Sequence, residues 1–455
     1  MHENADMRNC GLLAVITAFL ALGGCLVKPV DFRDAISEAK SAVFPALVYV
    51  RVITEGTSDG KIEKFESSGS GVIISEDGEF LTNHHVVDRA TRIRCQLTNG
   101  EMYDATVIGK DKDLDIALLK LTAGDDVRFP VARLSDKNRD IGTVVLAMGA
   151  PWGLARSVSM GIISCNDRYL EGAGDYTLWY QTDAAISPGN SGGPLVDTSG
   201  EVVGLNARGN MRGAQGFTIP SPIILEVLPN LRKYGNAHWA WFGINWQPLK
   251  DFERDTAFGA TNGVIVAGTE RQSPARLAGL EPNDRVVAIE GVPVTAVFSE
   301  DIPSLNRMLA LRDWEKGVKF DYVRDGVTKS VVITPKSKGD VEGAEVECKR
   351  WGLTAKEINR FETPDLAFMA PEGGVFVSSV AWEGNADNAG FNERDIIKRI
   401  GGRKVKDADE LKKIYDDAVA NVEKTFQLNV EVVRKGRKMQ LVLNFRLDPE
   451  KEDSL

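Results

Sequence analysis

The stretch TDAAISPGNSGGPLV, Thr182–Val196, decides how the chain folds and what its chemistry is, because it surrounds Ser191 with small residues. Three glycines lie close to that serine: Gly189, Gly192 and Gly193. Glycines allow the backbone to turn so that successive N–H groups point to one place. No nearer neighbour in the loop is larger than Asn190, so the hydroxyl is accessible. Such N–H groups can form an oxyanion hole, worth about 2.7–4 kcal/mol per donor in a transition state.

The same letters also fit the G-x-S-x-G turn of α/β hydrolases, which must be considered as an alternative. That turn requires a helix directly after the serine and a histidine later in the chain. Here Pro194 and a strand-turn-strand pattern follow Ser191, and the only later histidine is His238, in a linker. The chain therefore supplies the order histidine, aspartate, serine.

A serine hydroxyl is a weak nucleophile until a base takes its proton. The upstream candidates are His84 and His85 in LTNHHVVD, and local chemistry leaves the choice between them open. A carboxylate must then fix the imidazole tautomer, and DKDLDIALLKL offers three: Asp111, Asp113 and Asp115. Asp115 begins an apolar strand and is expected to be drawn into the core, where a carboxylate must be paired. We interpret the other two aspartates as solvated loop charges.

The first half of the chain has the pattern of an all-β unit. From about Ala42 to Pro220, short β-rich runs such as ALVYVRVI and TVVLAMG alternate with turn signals such as EDG and TNG. This pattern predicts a barrel or a sandwich. A helical stretch, SPIILEVLPNLRKYG, is expected to close the unit, which we bound at residues 41–235.

The second half contains an internal repeat. The segment Gly263–Val294 aligns without a gap on Gly374–Val405, with glycines in register at 263/374, 279/390 and 291/402. Asp284 matches Asp395, and each copy continues with a helix-like segment and a hairpin. The sequence therefore predicts two copies of a small α+β module, at residues 238–337 and 350–447.

Each module resembles a PDZ domain, which binds a peptide C-terminus as an added strand and holds the carboxylate with a glycine-containing loop. The loops expected to do this contain two sets of residues: Trp241, Phe242, Gly243 and Ile244 in the first module, and Trp351, Gly352 and Leu353 in the second. The second loop matches less well, so its ability to bind a ligand stays open. For both modules the alternative is a packing or regulatory role without a free peptide.

Taken together, GSGVIIS, EFLTNHHVV, DLDIALLKL, TDAAISPGNSGGPL, GFTIP and the two repeats resemble the HtrA (Deg) family of serine proteases over about Ala42–Phe445. The family motif threonine, asparagine, any residue, histidine, valine implies that His85 is the general base and that His84 lies at a variable position. The resemblance implies an all-β, trypsin-like double β-barrel followed by two α+β PDZ-like domains. It also implies the remaining functional groups: Asp115 orients the base, Ser191 is the nucleophile, and the N–H groups of Gly189 and Ser191 form the oxyanion hole.

Substrate preference follows from the residue six positions before the serine, which trypsin-like cleavage after Lys or Arg requires to be acidic. Here that residue is Ala185, so a basic residue before the cleaved bond is not expected. The resemblance implies small or aliphatic residues instead, in unfolded proteins. The expected pocket consists of five residues: Ala185, Ile186, Leu205, Asn206 and Ala207.

The N-terminus predicts export. An apolar run, CGLLAVITAFLALGG, is too short to span a bilayer but has the size of a signal-peptide core. It ends in LGGC, which resembles a lipoprotein cleavage site and makes Cys25 the expected acylated residue. The predicted segments are a signal peptide at 1–24, a linker at 25–40 and a charged tail at 448–455. A soluble secretory signal or an uncleaved anchor is the alternative, and Met7 is an alternative start.

The net charge and the cysteines limit which partners and cross-links are expected. The formal net charge of −10 argues against nucleic acid, which requires clustered Lys and Arg. Of the five cysteines, Cys10 lies in the signal segment and Cys25 is the expected lipid site. The other three lie in distant segments, namely Cys95, Cys165 and Cys348. They imply no disulfide framework and are interpreted as small buried hydrophobic residues. No metal or cofactor is expected.

These features predict a lipid-anchored protease of the cell envelope that degrades unfolded proteins, with PDZ-like modules that bind peptide C-termini. The resemblance implies a homotrimer or a larger homo-oligomer. The alternative is an adaptor or chaperone in which the protease unit is catalytically silent.

Overall fold

The computed structural model describes residues 32–150, 157–170, 173–210, 215–250, 259–339 and 343–446. The predicted signal segment, Cys25 and the charged tail lie outside these residues. Within the described part of the chain, no helix combines the length and the apolar character needed to cross a membrane.

Six antiparallel strands close the first barrel in the order β1-β2-β3-β6-β5-β4. Side chains along β4 alternate between the barrel interior and the surface, so that Ile93, Cys95 and Leu97 are buried. The strands are β1 (Leu47–Ser58), β2 (Lys61–Ile73), β3 (Glu79–Thr82), β4 (Ala90–Leu97), β5 (Met102–Asp111) and β6 (Ile116–Leu121). A short helix, α2 (His84–Val87), follows β3.

A second closed barrel follows, in the order β10-β11-β12-β9-β8-β7. Its strands are β7 (Val144–Gly149), β8 (Ser157–Arg168), β9 (Trp179–Thr182), β10 (Pro194–Asp197), β11 (Val202–Asn210) and β12 (Gln215–Pro220). The sequence pattern allowed a barrel or a sandwich, and the structure has two barrels.

Two helices pack on the barrels. The predicted closing helix is confirmed as α3 (Ser221–Tyr234); it ends at Gly235 in a left-handed conformation and contacts strands of both barrels. Helix α1 (Phe32–Val43) begins inside the segment predicted as a linker. It is amphipathic and buries Ala39 and Val43 in the barrel core, so this part of the chain belongs to the folded unit.

The first α+β unit contains a five-strand path, β14-β15-β16-β18-β19, with β17 paired to β16. A separate pair joins β13 to β20. The elements are β13 (Ala240–Trp241), β14 (Ile244–Gln247), β15 (Val264–Thr269), α4 (Pro274–Leu277), β16 (Arg285–Ile289), β17 (Val292–Pro293), α5 (Ile302–Ala310), β18 (Val318–Arg324), β19 (Val327–Ile333) and β20 (Lys336–Ser337).

The second α+β unit has the strand order β21-β22-β23-β24-β26-β27, with β25 paired to β24. From β22 onward its strands follow the order of β14 to β19 in the first unit. They are β21 (Glu345–Cys348), β22 (Leu353–Glu357), α6 (Pro364–Met369), β23 (Val375–Val380), α7 (Asn385–Asn388), β24 (Ile396–Ile400), β25 (Arg403–Lys404), α8 (Ala408–Ala420), β26 (Gln427–Arg434) and β27 (Arg437–Asn444).

The two units share a buried ion pair at the aligned aspartates. In the first unit, Arg324 donates two hydrogen bonds of 2.6 Å to Asp284, which is 1% exposed. In the second unit, Arg434 donates to Asp395 at 2.7 and 2.6 Å, and Asp395 is fully buried. A bidentate guanidinium satisfies a carboxylate that burial would otherwise leave without solvent.

Candidate active site

His85 lies on α2, directly after strand β3 of the first barrel. Its ring Nδ1 is 2.8 Å from Oδ2 and 3.0 Å from Oδ1 of Asp115. When Nδ1 carries the proton, the ring donates to the carboxylate and its Nε2 can accept a proton from another group. The His85 side chain is about half exposed, at 47%, so a substrate can reach it.

His84, the neighbouring residue, lies in a different environment. Its side chain is only 8% exposed, and its Nε2 lies 3.9 Å from Oδ1 of Asp88. The two adjacent histidines therefore have different carboxylate neighbours, and His85 is the one beside Asp115.

Asp115 is held in place by its own backbone and by its neighbours. It is 6% exposed and has φ +57°, a left-handed conformation that is costly for a residue with a side chain. Its Oδ1 accepts the backbone N–H of His85 at 3.0 Å, and its carbonyl accepts Asn83 Nδ2 at 3.0 Å. The carboxylate is thus fixed relative to the imidazole.

The other two aspartates of this segment are not solvated loop charges, so that prediction is wrong. Asp111 is 6% exposed and accepts the N–H of Leu114 at 2.9 Å. Burial and the nearby Asp113 raise the pKa of Asp111 to about 7. Asp113 forms a 2.6 Å ion pair with Lys338, a buried residue that follows the first α+β unit. Sequence position could not show that a distant lysine covers this turn.

Ser191 lies in the turn that leads into β10. Gly192, with φ +80°, could not carry a side chain, because a Cβ there would lie 2.2 Å from both Ser70 O and Thr82 Oγ1. The Ser191 hydroxyl donates to the carbonyl of Ala207 at 3.2 Å. The glycines around the serine therefore allow the second barrel to approach the first barrel closely.

Ser70 of β2 joins the two barrels at this point, and sequence reasoning missed it. Its N–H donates to Ser191 O at 2.8 Å, and its hydroxyl donates to Gly189 O at 2.6 Å. The same hydroxyl accepts the N–H of Ala150 at 2.9 Å. Ser70 therefore positions the serine turn against the barrel that holds His85. The only signal in the sequence is a serine between glycines in GSGVIIS, which is too general to reveal this role.

The backbone N–H groups of Gly189 and Ser191 differ from those of the next residues. Gly192 N–H donates to Asn206 O at 2.8 Å, and Gly193 N–H donates to Asn190 O at 2.9 Å. In the part of the chain that the structure describes, neither Gly189 N–H nor Ser191 N–H has a protein acceptor. These two donors are therefore available to a substrate oxygen.

A cleft with a volume of about 620 Å³ opens beside the imidazole and carboxylate groups of the first barrel. His85 and Asp115 line it, together with Trp179 and Ala207 of the second barrel. Phe361, from the second α+β unit, reaches its edge. The cleft is thus lined by both barrels and by the second α+β unit.

The predicted pocket residues lie on both sides of the serine turn. The carbonyl of Ala185 accepts Ser159 Oγ at 2.6 Å, and Ile186 is half-buried. A Cβ on Gly216 would lie 2.5 Å from Ile186 Cδ1. The remaining three are buried in β11: Leu205, Asn206 and Ala207. Asn206 uses its amide to bond Pro194 O at 3.0 Å, which holds the serine turn.

The two glycine loops of the α+β units have similar backbones. Gly243 has φ +69° and Gly352 has φ +68°. Gly243 O accepts the N–H of Glu270 at 2.9 Å, and Gly352 O accepts that of Ala381 at 2.8 Å. The flanking residues are buried, apart from the half-buried Ile244: Trp241, Phe242, Trp351 and Leu353.

Cys95, Cys165 and Cys348 are all free thiols. Cys95 and Cys348 are fully buried, which raises the pKa of each thiol. Cys165 is only partly buried, so the interpretation as buried hydrophobic residues holds for two of the three.

The two barrels, the cleft between them and the α+β unit that follows define a class of protein, a trypsin-like peptidase with a PDZ domain. The family described as "Trypsin-like peptidase domain" matches residues 69–205, and the family described as "PDZ domain" matches residues 241–334.

Relatives and solved structures agree with this class. "Probable periplasmic serine endoprotease DegP-like" from Pseudomonas putida is 33% identical over 388 residues, covering 82% of this chain and 78% of that protein. "HtrA-type protease AlgW with tripeptide" superposes with a TM-score of 0.59 at 30% identity, covering 67% of this chain and 97% of that chain. "Crystal structure of the serine endoprotease from Yersinia pestis" gives 0.52 at 28% identity, covering 68% and 98%. The chain belongs to the HtrA family of serine endoproteases. Its relatives are periplasmic, which supports an extracytoplasmic location.

Proposed function

We propose that His85, Asp115 and Ser191 form the catalytic triad of this endoprotease. The observation that carries the proposal is the 2.8 Å contact between His85 Nδ1 and Asp115 Oδ2, beside a serine turn that Ser70 fastens to the same barrel. Asp115 fixes the imidazole tautomer so that Nε2 serves as the base.

In the proposed reaction, the Ser191 hydroxyl turns from the Ala207 carbonyl to His85 Nε2. Oγ attacks the peptide carbonyl carbon while Nε2 takes its proton. The resulting oxyanion accepts hydrogen bonds from the N–H groups of Gly189 and Ser191. The C–N bond breaks as Nε2 returns the proton to the leaving amine. Water then hydrolyses the acyl-enzyme by the same route.

We propose that the substrates are unfolded proteins, cleaved after small or aliphatic residues. The uncharged Ala185 and Ile186 near the serine turn support this preference, because neither can neutralise a basic side chain. A peptide library measures it directly. Strong cleavage after Arg would contradict the proposed pocket.

Recruitment is proposed to use the PDZ domain, whose loop Trp241–Ile244 would hold a peptide carboxylate. The second α+β unit is proposed to be a second PDZ-like domain, because from β22 onward it shares the strand order and the buried aspartate–arginine pair of the first. We further propose a lipid anchor at Cys25, which mass spectrometry of the mature N-terminus tests, and a homotrimer or larger oligomer, which the solution mass tests.

Casein hydrolysis by the wild type and by Ser191→Ala tests the catalytic proposal. Losing the nucleophile of such a triad costs on the order of 10⁶ in kcat. The matched pair His85→Ala and His84→Asn should separate the histidines, with activity lost only in the first. An unchanged rate in Ser191→Ala would mean that Ser191 is not catalytic and would favour an adaptor function.

A further inference from the structure

The two α+β units differ at the strand that follows the glycine loop. In one unit the outer edge of this strand is uncovered in the described part of the chain, and in the other it is paired. In the first unit, β14 is the last strand of its sheet, and among the described residues no strand pairs with its outer edge. In the second unit, the corresponding strand β22 pairs along its outer edge with β21. This edge is where a PDZ domain adds a peptide strand.

Strand β21 runs in the direction that a peptide ligand would take. It is antiparallel to β22, and its last residue, Cys348, faces Leu353, the first residue of β22. The chain then enters the glycine loop at Lys349–Gly352, where a peptide carboxylate would be held. Strand β21 therefore occupies the position of a peptide that ends at this loop.

The side chains of β21 alternate between the groove and the opposite face. Val346 and Cys348 are buried in the same apolar cluster as Leu411 and Ile414 of α8. The strand thus lies between β22 and α8 and contacts both. A peptide in this groove would need the same space.

The opposite face of β21 contacts the protease domain. Glu345 accepts a hydrogen bond of 3.1 Å from Arg89, and Glu347 accepts the N–H of Ile62 at 3.0 Å. The tip of the β1–β2 hairpin adds two more contacts: Gly60 N–H donates to Ser379 Oγ at 2.9 Å, and Trp382 N–H donates to Asp59 at 2.6 Å. The strand is therefore part of the joint between the second unit and the first barrel.

We propose that β21 is the built-in ligand of the second unit, and that this unit is a docking module fastened to the protease domain rather than a receptor for free peptides. The inference deepens the proposed function and rests on it for the peptide-binding role of the first unit. Free C-termini then have one site per chain, at β14.

Covalent connection favours β21 over any free competitor. A segment joined by a short linker has an effective concentration on the order of millimolar or higher. A free peptide at micromolar concentration would have to bind about 1,000-fold more tightly than β21 to displace it. The groove of the second unit is therefore closed under ordinary conditions.

Cys348 provides a native reporter of this closure, because it is fully buried in β21. The experiment treats the full chain, carrying Ser191→Ala to prevent self-cleavage, with a maleimide and quantifies each cysteine by mass spectrometry. Cys348 should react at least about 100-fold more slowly than the partly buried Cys165 and should resemble Cys95 in the barrel core. A Cys348 as reactive as Cys165 would overturn the proposal.

Two variants of β21 form a matched pair. Val346→Asp places a carboxylate in the groove and should raise Cys348 labelling at least about tenfold while leaving Cys95 unchanged. Glu347→Gln, on the opposite face, keeps an acceptor for Ile62 and should leave the labelling unchanged. If Val346→Asp does not fold, the wild-type labelling pattern still decides. Slow labelling of Cys348 in a folded Val346→Asp would overturn the proposal.

A fluorescent ten-residue peptide with an apolar C-terminal residue, compared with its C-terminal amide, supplies the second measurement. The proposal expects one bound peptide per chain and no increase in Cys348 labelling at saturation. Two peptides per chain, or exposed Cys348, would overturn it. If no peptide binds, the peptide-binding role of the first unit fails, while Cys348 protection still tests β21 as the ligand of the second.

Discussion

The two α+β units share a strand order and a buried aspartate–arginine pair, yet the segment before the glycine loop pairs with a different strand in each unit. In the first unit that segment is β13, which pairs with β20 and leaves the edge of β14 uncovered in the described structure. In the second unit it is β21, which pairs with β22 and fills the groove. One module can therefore have two roles, depending on where a few residues before the loop form their hydrogen bonds.

The difference extends to the contacts with the protease domain. The first unit is joined to it by Lys338, which lies within 2.6 Å of Asp113 and 3.2 Å of Tyr176, close to the catalytic cleft. The second unit is joined through β21 and the β1–β2 hairpin, and its Phe361 also lines the catalytic cleft. The two units are thus fastened to the barrels through different residues.

The largest expected effect concerns peptide binding. A Cβ on Gly243 would lie 2.3 Å from Ser273 Cβ, at φ +69°, whereas a Cβ on Gly352 has no neighbour closer than 3.4 Å. Gly243→Ala should weaken peptide binding on the order of 100-fold, which corresponds to about 2.7 kcal/mol. Gly352→Ala should change it less than about twofold, because the second groove takes no peptide. Fluorescence anisotropy measures both, and equal losses would remove the distinction between the units.

The second-largest expected difference is in how much each unit's ion pair with the protease domain contributes to the free energy of unfolding. Lys338 is mostly buried, with its side chain 7% exposed, whereas Arg89 is 35% exposed in its pair with Glu345. Lys338→Met should reduce the free energy of unfolding by about 2 kcal/mol, because Asp113 loses its partner in a partly buried site. Arg89→Met should cost less than about 1 kcal/mol, as expected for a solvent-screened pair. Denaturant unfolding compares them, and the reverse order would contradict this account of the joints.

Substitutions at the tip of the β1–β2 hairpin test whether this hairpin holds the second α+β unit in place. A Cβ on Gly60 would lie 2.5 Å from Ala381 N, whereas one on Gly100 would meet nothing within 4 Å, although both have positive φ. Gly60→Ala should cost about 1 kcal/mol more than Gly100→Ala in unfolding free energy. Only Gly60→Ala should also increase the labelling of Cys348. Equal labelling in both variants would show that the hairpin does not hold the second unit.

The smallest effect concerns pH at the first joint. The pKa of Asp111 is raised to about 7 by burial and by Asp113, so its proton is bound more tightly in the folded than in the unfolded chain. The stabilisation is present at low pH and is lost as the pH rises through 7. Between pH 5.5 and 6.5 the wild type should lose on the order of 1 kcal/mol relative to Asp111→Asn. Parallel curves for the two proteins would mean that Asp111 titrates normally.

Much of the site could be predicted from the sequence. The glycines around Ser191 and the order of histidine, aspartate and serine indicated a trypsin-like peptidase. The apolar strand after Asp115 indicated that this aspartate would be buried, but not that Asp111 is buried as well. The choice of His85 over His84 required family register, because two adjacent histidines carry no local difference in chemistry. The structure places His85, and not His84, beside Asp115.

Other residues could not be predicted because their roles depend on distant partners. Ser70 is an ordinary strand serine until the second barrel places Gly189 and Ser191 against it. Asp111 was interpreted as a solvated loop charge, but packing covers it. The first nine residues of helix α1 were assigned to a linker, but Ala39 and Val43 pack into the barrel core.

The sequence by itself determined the class of fold, the set of candidate catalytic groups and the existence of two related modules. It did so because strand alternation, glycine turns and residue order are local properties of the chain. Only the tertiary structure decided which groove is filled and how the modules are fastened. Those outcomes depend on contacts such as Gly60 with Ser379, which lie 319 residues apart in the chain. Hydrogen bonds over such separations are set by the packing of whole domains, and no local pattern encodes them.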